Sequence, residues 1–356
     1  MKNFKVAAVL LISFLALLVI TACSQSESGS GQEENTDGSG QEENTESSGD
    51  DENDEIVLRL GHGTATNSLY HKGSEKFKEL VEEKTDGEIT VELYPDGQLG
   101  HDRDLTEGMD MGTVEMGMIG VEPLTSMAPK LQAVNLPYLF TDRETAYEVL
   151  DGEIGQEMVE NLPEESGMRV LGYFENGFRN VSNSQQPIEE PEDLNGLDIR
   201  TPESDVSLSI FNALGANPTP MDFGELYTGL EQGTVDGQEN PVSLIYTAKL
   251  YEVQDYVSLT NHMYSPMVLA ISEQTWSSLS SEQQDIVMEA SDEAKQYERE
   301  LSQEEEANYI DMLKEEGTNI NEPETEPFEE ATQEVYEEYK GDFDEEFYEK
   351  LMEATE

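Results

Sequence analysis

Two arginines in apolar, strand-like segments are the residues best suited to binding chemistry in this sequence. Arg179 lies in the segment GFRNVSNS, and Arg200 lies in PEDLNGLDIR. A guanidinium among apolar side chains needs an anionic partner, and its planar, permanently charged fork fits a carboxylate. We therefore expect a ligand carboxylate as the partner. A structural glutamate for Arg200 and an ion pair at the surface or between domains for Arg179 are the alternatives.

Residue patterns typical of enzymes are absent from the sequence. The four histidines do not have metal-ligand spacing, and the only cysteine is Cys23. No GxSxG, Walker A or GxGxxG motif stands in a suitable context. Carboxylates are too abundant for any pair to indicate acid–base catalysis. We therefore expect no catalytic residues, no metal site and no cofactor.

The charge of the chain excludes one class of partner and indicates a type of habitat. Its 356 residues carry 79 acidic and 19 basic side chains, which gives a net charge of −60. No basic patch is available to meet nucleic acid phosphates, so nucleic acid is excluded as a partner. Such a chain repels itself in dilute buffer, whereas molar salt shortens the Debye length to about 3 Å. We therefore predict a halophilic source.

The first residues have the features of a bacterial export signal. Lys2 and Lys5 precede an apolar run from Val6 to Ile20, which is short for a membrane span and typical of a secretory signal. The run leads into Ile-Thr-Ala-Cys, which resembles a lipobox. This predicts a lipoprotein signal peptide over 1–22 and a lipid anchor on Cys23. An ordinary signal peptide with an incidental cysteine is the alternative.

A low-complexity segment follows the signal. Residues 24–55 contain 12 acidic and no basic side chains, with an imperfect repeat of SGSGQEENT. Almost no apolar residues are available to form a core, so we predict a solvated tether over 23–55. Its acidic spacing does not match a calcium-binding loop.

The globular part begins with alternating strand and helix patterns, which predict an α/β fold with a largely parallel sheet. Ligands of such sheets bind at the carboxyl ends of strands. His62, Asp102 and Glu122 follow strand-like segments and are therefore candidate cleft residues. A strand-end histidine and a helix-capping aspartate are also ordinary structural features.

The pattern changes beyond Gly177 from long helices to short strands and turns, which predicts a second domain. We place the first domain at 56–176 with about 267–302, and the second at 177–266 with about 303–356. Apolar residues at a spacing of three to four predict a long helix to about Glu316, with an inward stripe that includes Tyr297. Further helices are predicted over about 143–161 and from Thr201-Pro202.

Several segments in order resemble the DctP-type solute-binding proteins of TRAP transporters, over residues 56 to about 340. These segments are LYPDGQLGHDRDL, NLPYLF, GFRNVSNS, PEDLNGLDIR, GANPTPMDFGELYTGL, VDGQENP and YEVQDYVSLTNH. The resemblance implies a two-domain, periplasmic-binding-protein-like α/β fold with a ligand cleft between the domains and a long bracing helix. It also implies an extracytoplasmic, non-enzymatic protein that delivers a small organic acid to membrane permease subunits.

The resemblance assigns roles to individual residues. Arg200 matches the arginine that forms a bidentate salt bridge with the ligand carboxylate, and Arg179 matches a second arginine at the same group. Asn240 matches an amide that hydrogen-bonds the ligand, and Phe223 matches an aromatic wall of the cleft. Asn240 as a helix cap and Phe223 as core are the alternatives.

The ligand expected from the arginine pair is a C4-dicarboxylate, with a sugar acid, a 2-oxo acid or ectoine as alternatives. Ectoine would favour an aromatic cage, but the only tryptophan, Trp276, lies outside the cleft segments. A carboxylate-sensing protein that serves a signalling receptor is an alternative from another class, and a secreted enzyme is a third.

Overall fold

The computed structural model describes residues 56–355, and these form a mixed sheet with helices around it. Among them are nine strands: β1 (Ile56–Gly61), β2 (Ile89–Tyr94), β3 (Met116–Gly120), β4 (Met168–Asn183), β5 (Asp198–Thr201), β6 (Asn217–Pro220), β7 (Gly237–Asn240), β8 (Tyr256–Ser272) and β9 (Asn319–Asn321). The same residues form twelve α-helices: α1 (Leu69–Lys84), α2 (Asp102–Asp110), α3 (Arg143–Asp151), α4 (Glu153–Val159), α5 (Leu162–Ser166), α6 (Asp205–Ala213), α7 (Phe223–Glu231), α8 (Val242–Thr247), α9 (Glu273–Ser278), α10 (Ser281–Glu315), α11 (Glu326–Tyr339) and α12 (Glu345–Thr355).

The predictions for the amino-terminal segments fall outside the described residues. These are the signal peptide over 1–22, the lipid anchor on Cys23 and the tether over 23–55. None of the helices formed by residues 56–355 is long and apolar enough to cross a membrane.

The sheet has a parallel group at each end and an antiparallel centre. Its order is β2-β1-β3-β8-β4-β7-β5-β6, with β9 beside β8. β1 is parallel to β2 and β3, and β5 is parallel to β6 and β7. The central pairs β3–β8, β8–β4 and β4–β7 are antiparallel. The predicted α/β class is confirmed, although the sheet is mixed: the two outer groups and the β8–β9 pair are parallel, and the central pairs are not.

The central strands β4 and β8 are much longer than the sequence pattern indicated. They pair from Met168–Ser272 to Asn183–Tyr256, with three register shifts along the way. One shift lies beside Gly177, whose φ of +113° is a conformation that glycine adopts without strain. The prediction of short strands and turns beyond Gly177 was therefore wrong for this strand, because the bulges bend β4 without ending it.

The predicted domain boundaries fall inside three continuous elements. Position 177 lies in β4, position 267 lies in β8, and position 302 lies in α10. The two ends of the sheet are therefore joined through shared strands and a shared helix. The division into two domains at these positions stays a prediction.

The long helix α10 braces the sheet, as predicted. It has 35 residues, a length of about 50 Å, and begins with a capping box between Ser280 and Gln283. Val287, Ala290 and Ala294 are buried against the core, and the small alanines allow close approach. Tyr297 is 43% exposed, so its predicted place in the inward stripe was wrong.

Two helix predictions need correction. The helix expected over 143–161 is divided at Gly152 into α3 and α4, because the extended backbone of Gly152 ends the first and caps the second. The helix expected from Thr201 begins at Asp205, since Ser204 is the cap and Thr201 still belongs to β5. Both errors concern boundaries, where local sequence patterns are weakest.

Candidate functional site

A narrow cavity lies where strand ends from both parallel groups meet helix beginnings. Its volume is about 50 Å³, and it adjoins a second cavity of about 40 Å³. The two cavities share part of their walls: Asp102, Glu122, Arg200, Pro202 and Phe223. Six of the seven predicted ligand-binding residues line the first cavity: Arg200, Arg179, Asn240, Phe223, Asp102 and Glu122.

Arg200 brings an uncompensated positive charge to the cavity wall. It is buried at the end of β5, and its Nε donates a hydrogen bond to the backbone oxygen of Met221 at 2.8 Å. Among residues 56–355, no carboxylate lies within ion-pair distance of its guanidinium. Burial lowers the pKa of Arg200 to about 10, although the charge of Glu239 nearby opposes this effect. A buried cation in this position needs an anion that the fold does not supply.

Arg179 in β4 is instead compensated within the fold. Its Nε and Nη2 donate to the two carboxylate oxygens of Glu239 in β7, at 2.5 and 2.7 Å. His262 lies 3.2 Å from the same carboxylate, and Glu122 lies 3.7 Å from Arg179 Nη1. Burial alone would raise the pKa of Glu239, but the charge of Arg179 and the hydrogen bond from His262 lower it to about 2. Arg179 therefore forms a buried ion pair, although it also lines the cavity.

Asn240 and Phe223 both line the cavity, and their contacts with a ligand stay predictions. Asn240 ends β7, where its Oδ1 accepts a hydrogen bond from Arg179 and its Nδ2 donates one to Gln238. The cap of α8 is Pro241, so the alternative role of Asn240 as that cap is not seen. Phe223 begins α7 and is half-buried against two hydrophobic clusters, with part of its surface in the cavity.

Asp102 and Glu122 place two carboxyl groups in the walls of the same two cavities as Arg200. Asp102 Oδ2 accepts a hydrogen bond from the backbone nitrogen of Gly120 at 3.1 Å, and Glu122 Oε1 accepts one from Ser265 at 2.9 Å. Burial raises the pKa of Asp102 to about 7 against the effect of the Gly120 hydrogen bond, and the carboxylate of Glu122 adds to the rise. Asp102 therefore exchanges a proton near neutral pH.

His62, the seventh predicted residue, does not line the cavity. It is buried, with Nε2 at 3.0 Å from His71 Nδ1 and Nδ1 at 3.1 Å from the hydroxyl of Thr64. Burial lowers its pKa to about 4, so the imidazole is neutral. Its side chain turns toward His71 in α1 while Thr64 lines the cavity, so a ligand contact at His62 stays a prediction without support from the cavity wall.

Tyr70, His101 and Asn176 also line the cavity and were missed in the sequence. Burial and the nearby carboxylates of Asp102 and Glu122 raise the pKa of Tyr70 well above its usual value, so its hydroxyl keeps its proton. His101 stands in the segment QLGHDRDL beside Asp102, and this adjacency was the available signal. Tyr70 and Asn176 had no distinctive local pattern.

The tryptophan lies away from the cavity, as expected. Trp276 is in α9, where its ring lies under the guanidinium of Arg169 at 5.3 Å. It is not part of the cavity wall, so the described residues offer no tryptophan for a cage around a cationic ligand. Residues 56–355 also contain no cluster of side chains suited to a metal ion.

The geometry suits the binding of an anion more than its transformation. The cavity presents one free guanidinium, one compensated guanidinium, two carboxyl groups and several neutral polar groups. No serine, cysteine or lysine nucleophile in its wall is paired with a base. Reversible capture of a small acid is the chemistry that these groups support.

Comparisons with known proteins agree with this geometry. The family described as bacterial extracellular solute-binding protein, family 7 (DctP), matches residues 60–342. The 2,3-diketo-L-gulonate-binding periplasmic protein of Escherichia coli K12 is 39% identical over 263 residues, which are 74% of this chain and 80% of that protein. The C4-dicarboxylate-binding protein of Bacillus subtilis 168 is 30% identical over 304 residues, which are 84% and 87% of the two chains.

A solved structure has a closely similar fold. The TRAP periplasmic solute-binding protein of Polaromonas sp. JS666, bound to D-erythronate, is similar with a TM-score of 0.81 and 35% identity. The similarity covers 84% of this chain and 98% of that one.

Proposed function

Because the chain belongs to the DctP family of bacterial extracellular solute-binding proteins, we propose that Arg200 holds the carboxylate of its ligand for delivery to a membrane permease. The chain is the solute-binding component of a TRAP transporter for small organic acids, and it is not an enzyme. It acts outside the cytoplasm. The ion pair between Arg200 and the ligand, the permease subunits as partners, and a lipid anchor on Cys23 are parts of the proposal.

The isolation of the Arg200 charge is the observation that carries the proposal. A guanidinium buried without a carboxylate loses hydration and gains little in return. A bidentate ligand carboxylate would restore both hydrogen bonds and charge balance. Ligand binding would therefore remove a cost that the ligand-free protein carries at Arg200.

The class of organic acid is a separate part of the proposal. Similar proteins include one named for C4-dicarboxylates and one bound to D-erythronate. The sequence favours a C4-dicarboxylate because it presents two arginines. Arg179 is already paired with Glu239, so the cavity supports one ligand carboxylate, at Arg200.

The acidity of the chain makes salt part of the proposed function. A net charge of −60 opposes the approach of an anion in dilute buffer. Molar salt screens this field within about 3 Å, so capture is expected to be faster at high salt. Unfolding curves over a series of salt concentrations test the halophilic source, which full stability in dilute buffer would contradict.

Calorimetry against a panel of organic acids at high salt tests the central claim. We expect Arg200→Met to weaken binding of the identified acid by about 2–5 kcal/mol, because one partner of a buried charge pair is lost. Arg169→Met is the matched control, since Arg169 pairs with Glu273 and lies outside the cavity. Equal affinity of the wild type and Arg200→Met would contradict the proposal.

A further inference from the structure

In the described part of the chain, only one positive charge of the cavity wall, that of Arg200, is left without a paired carboxylate before a ligand enters. Arg179 and Arg200 bring two positive charges to the wall, and Arg179 is already paired with Glu239, which is not part of the wall, and lies 3.7 Å from Glu122. Asp102 adds negative charge in its ionised fraction. A ligand with one negative charge would pair with Arg200, whereas a second carboxylate would find no free cation among the arginines and lysines that the described residues place in this wall.

A glycine brings the two acidic side chains of the wall together. Glu122 Oε2 and Asp102 Oδ2 lie 2.5 and 3.2 Å from the position that a Cβ on residue 120 would occupy. Any side chain at Gly120 would displace one of them. The absence of a Cβ thus allows a pair of carboxyl groups in the cavity wall that Arg200 also lines, and such a pair repels a ligand carboxylate.

Asn176 adds a neutral acceptor whose orientation is fixed by its neighbours. Its Nδ2 donates to the Ser265 hydroxyl at 3.3 Å, and that hydroxyl donates to Glu122 at 2.9 Å. The side-chain oxygen of Asn176 therefore has to be the free end of the amide. This oxygen is buried and has no hydrogen-bond partner, although Asn176 lines the cavity. A buried acceptor of this kind needs a donor.

Hydroxyl groups on a ligand would satisfy all of these acceptors. We propose that the ligand is a monocarboxylic acid with several hydroxyl groups, and that Asp102, Glu122 and Asn176 select it over a dicarboxylate by accepting hydrogen bonds from those hydroxyls. This inference rests on the proposed function, because it assumes that Arg200 holds the single carboxylate. Both ionised and protonated Asp102 can serve, since each form keeps an acceptor oxygen.

The cavity volume guides the choice of test acids. A site of about 50 Å³ has room for only a few water molecules, since one water needs roughly 10–15 Å³. Four-carbon acids are therefore the matched probes. D-erythronate has one carboxylate with hydroxyls, tartrate has two carboxylates with hydroxyls, succinate has two carboxylates alone, and butyrate has one carboxylate alone.

Calorimetry with these four acids at high salt separates the effects of charge and hydroxyl groups. We expect D-erythronate to bind about 30-fold or more tightly than each of the other three, because buried acceptors left without donors cost affinity. Galactonate and galactarate are a second pair of longer acids, which carry one and two carboxylates respectively. The same direction is expected for this pair.

A variant separates selection from simple structural damage. Asp102→Asn removes the charge and keeps an acceptor oxygen, so tartrate should gain about tenfold relative to D-erythronate. Damage to the fold would weaken both acids and leave their ratio unchanged. Asp110→Asn, on the exposed side of α2, is the matched control and should leave the ratio unchanged.

The outcomes distinguish this inference from the proposed function. Binding of succinate or tartrate as tight as that of D-erythronate, or of galactarate as tight as galactonate, would overturn the inference and leave the proposed function standing. Equal binding of butyrate and D-erythronate would also overturn it. Binding of none of the six acids would contradict the proposed function itself.

Discussion

The surroundings of Arg179 and Arg200 differ although the two residues lie only two strands apart in the sheet. Both are buried and both line the cavity. Arg179 is held by the carboxylate of Glu239 on the neighbouring strand, whereas Arg200 makes its one hydrogen bond to a backbone oxygen. A buried arginine can therefore stabilise the fold through a pair within the protein, as Arg179 does, or keep its charge available for a ligand.

This difference predicts that Arg179 contributes mainly to stability and Arg200 mainly to ligand binding. The ion pair between Arg179 and Glu239 is complete without a ligand, so removal of either partner leaves a buried charge. In the absence of ligand, the Arg200 guanidinium has no paired carboxylate among residues 56–355. Its replacement by a neutral side chain should therefore stabilise the ligand-free protein. Opposite effects on stability are therefore expected for changes at these two positions.

The largest effect is expected for Glu239→Gln. This change removes the carboxylate charge that is hydrogen-bonded to the buried guanidinium of Arg179, and we expect the free energy of unfolding to fall by about 3–5 kcal/mol. Urea unfolding at high salt measures it. Glu273→Gln is the control, because the pair of Glu273 with Arg169 is partly exposed and its loss should cost about 0–1 kcal/mol. Similar losses for both variants would show that the Arg179 region is not special.

A smaller effect of opposite sign is expected for Arg200→Met in the absence of ligand. Replacing an uncompensated buried cation with an apolar side chain should raise the free energy of unfolding by about 2 kcal/mol. Arg179→Met should lower it, because Glu239 would be left unpaired. A loss of stability in both variants, measured by thermal unfolding without ligand, would end the distinction between the two arginines.

The sequence singled out the two arginines that line the cavity because arginines are scarce in this chain. Only 19 basic residues stand among 356, and both cleft arginines are in apolar strand patterns. It could not identify the partner of Arg179, since 79 acidic side chains were candidates and Glu239 is 60 residues away. That contact depends on the pairing of β4 with β7, which local patterns do not specify.

The direction of side chains at strand ends also could not be predicted from the sequence. His62, Asp102 and Glu122 were grouped as strand-end candidates, yet His62 turns toward His71 while the other two face the cavity. Likewise, the length of β4 was hidden because its glycines look like turn signals, although they serve as bulges in a continuous strand. Both outcomes are decided by packing between distant segments.

The next effect concerns the pH dependence of stability at Asp102. Asp102 has a folded-state pKa of about 7, above its value in an unfolded chain, so the folded protein binds the proton more tightly. Its stabilising contribution is present below about pH 4 and is lost as pH rises toward 7. We expect the free energy of unfolding of the wild type to fall relative to that of Asp102→Asn across this range. Urea unfolding of both proteins at each pH measures this difference. A difference in the free energy of unfolding that stayed constant from about pH 4 to pH 7 would contradict the assignment.

The smallest effect concerns the close contact between Gly224 in α7 and the ring of His101 in the cavity wall. A Cβ on Gly224 in α7 would overlap the Nε2 atom of His101, whose ring also fills the spaces left by Gly63 and Gly97. Alanine at an exposed helix position would otherwise stabilise by about 0.4–1 kcal/mol, so damage here would arise from the contact across the cavity. We expect Gly224→Ala to weaken binding of the acid by about threefold, because the two walls cannot approach as closely.

The double variant Gly224→Ala with His101→Ala identifies the cause of that loss. If the overlap with the imidazole is responsible, the shorter side chain at position 101 removes it, and the effect of Gly224→Ala in this background should vanish. His101→Ala alone supplies the reference affinity. An unchanged threefold loss in the His101→Ala background would place the cause within α7. The affinity for the acid would then not depend on the contact between residue 224 and His101.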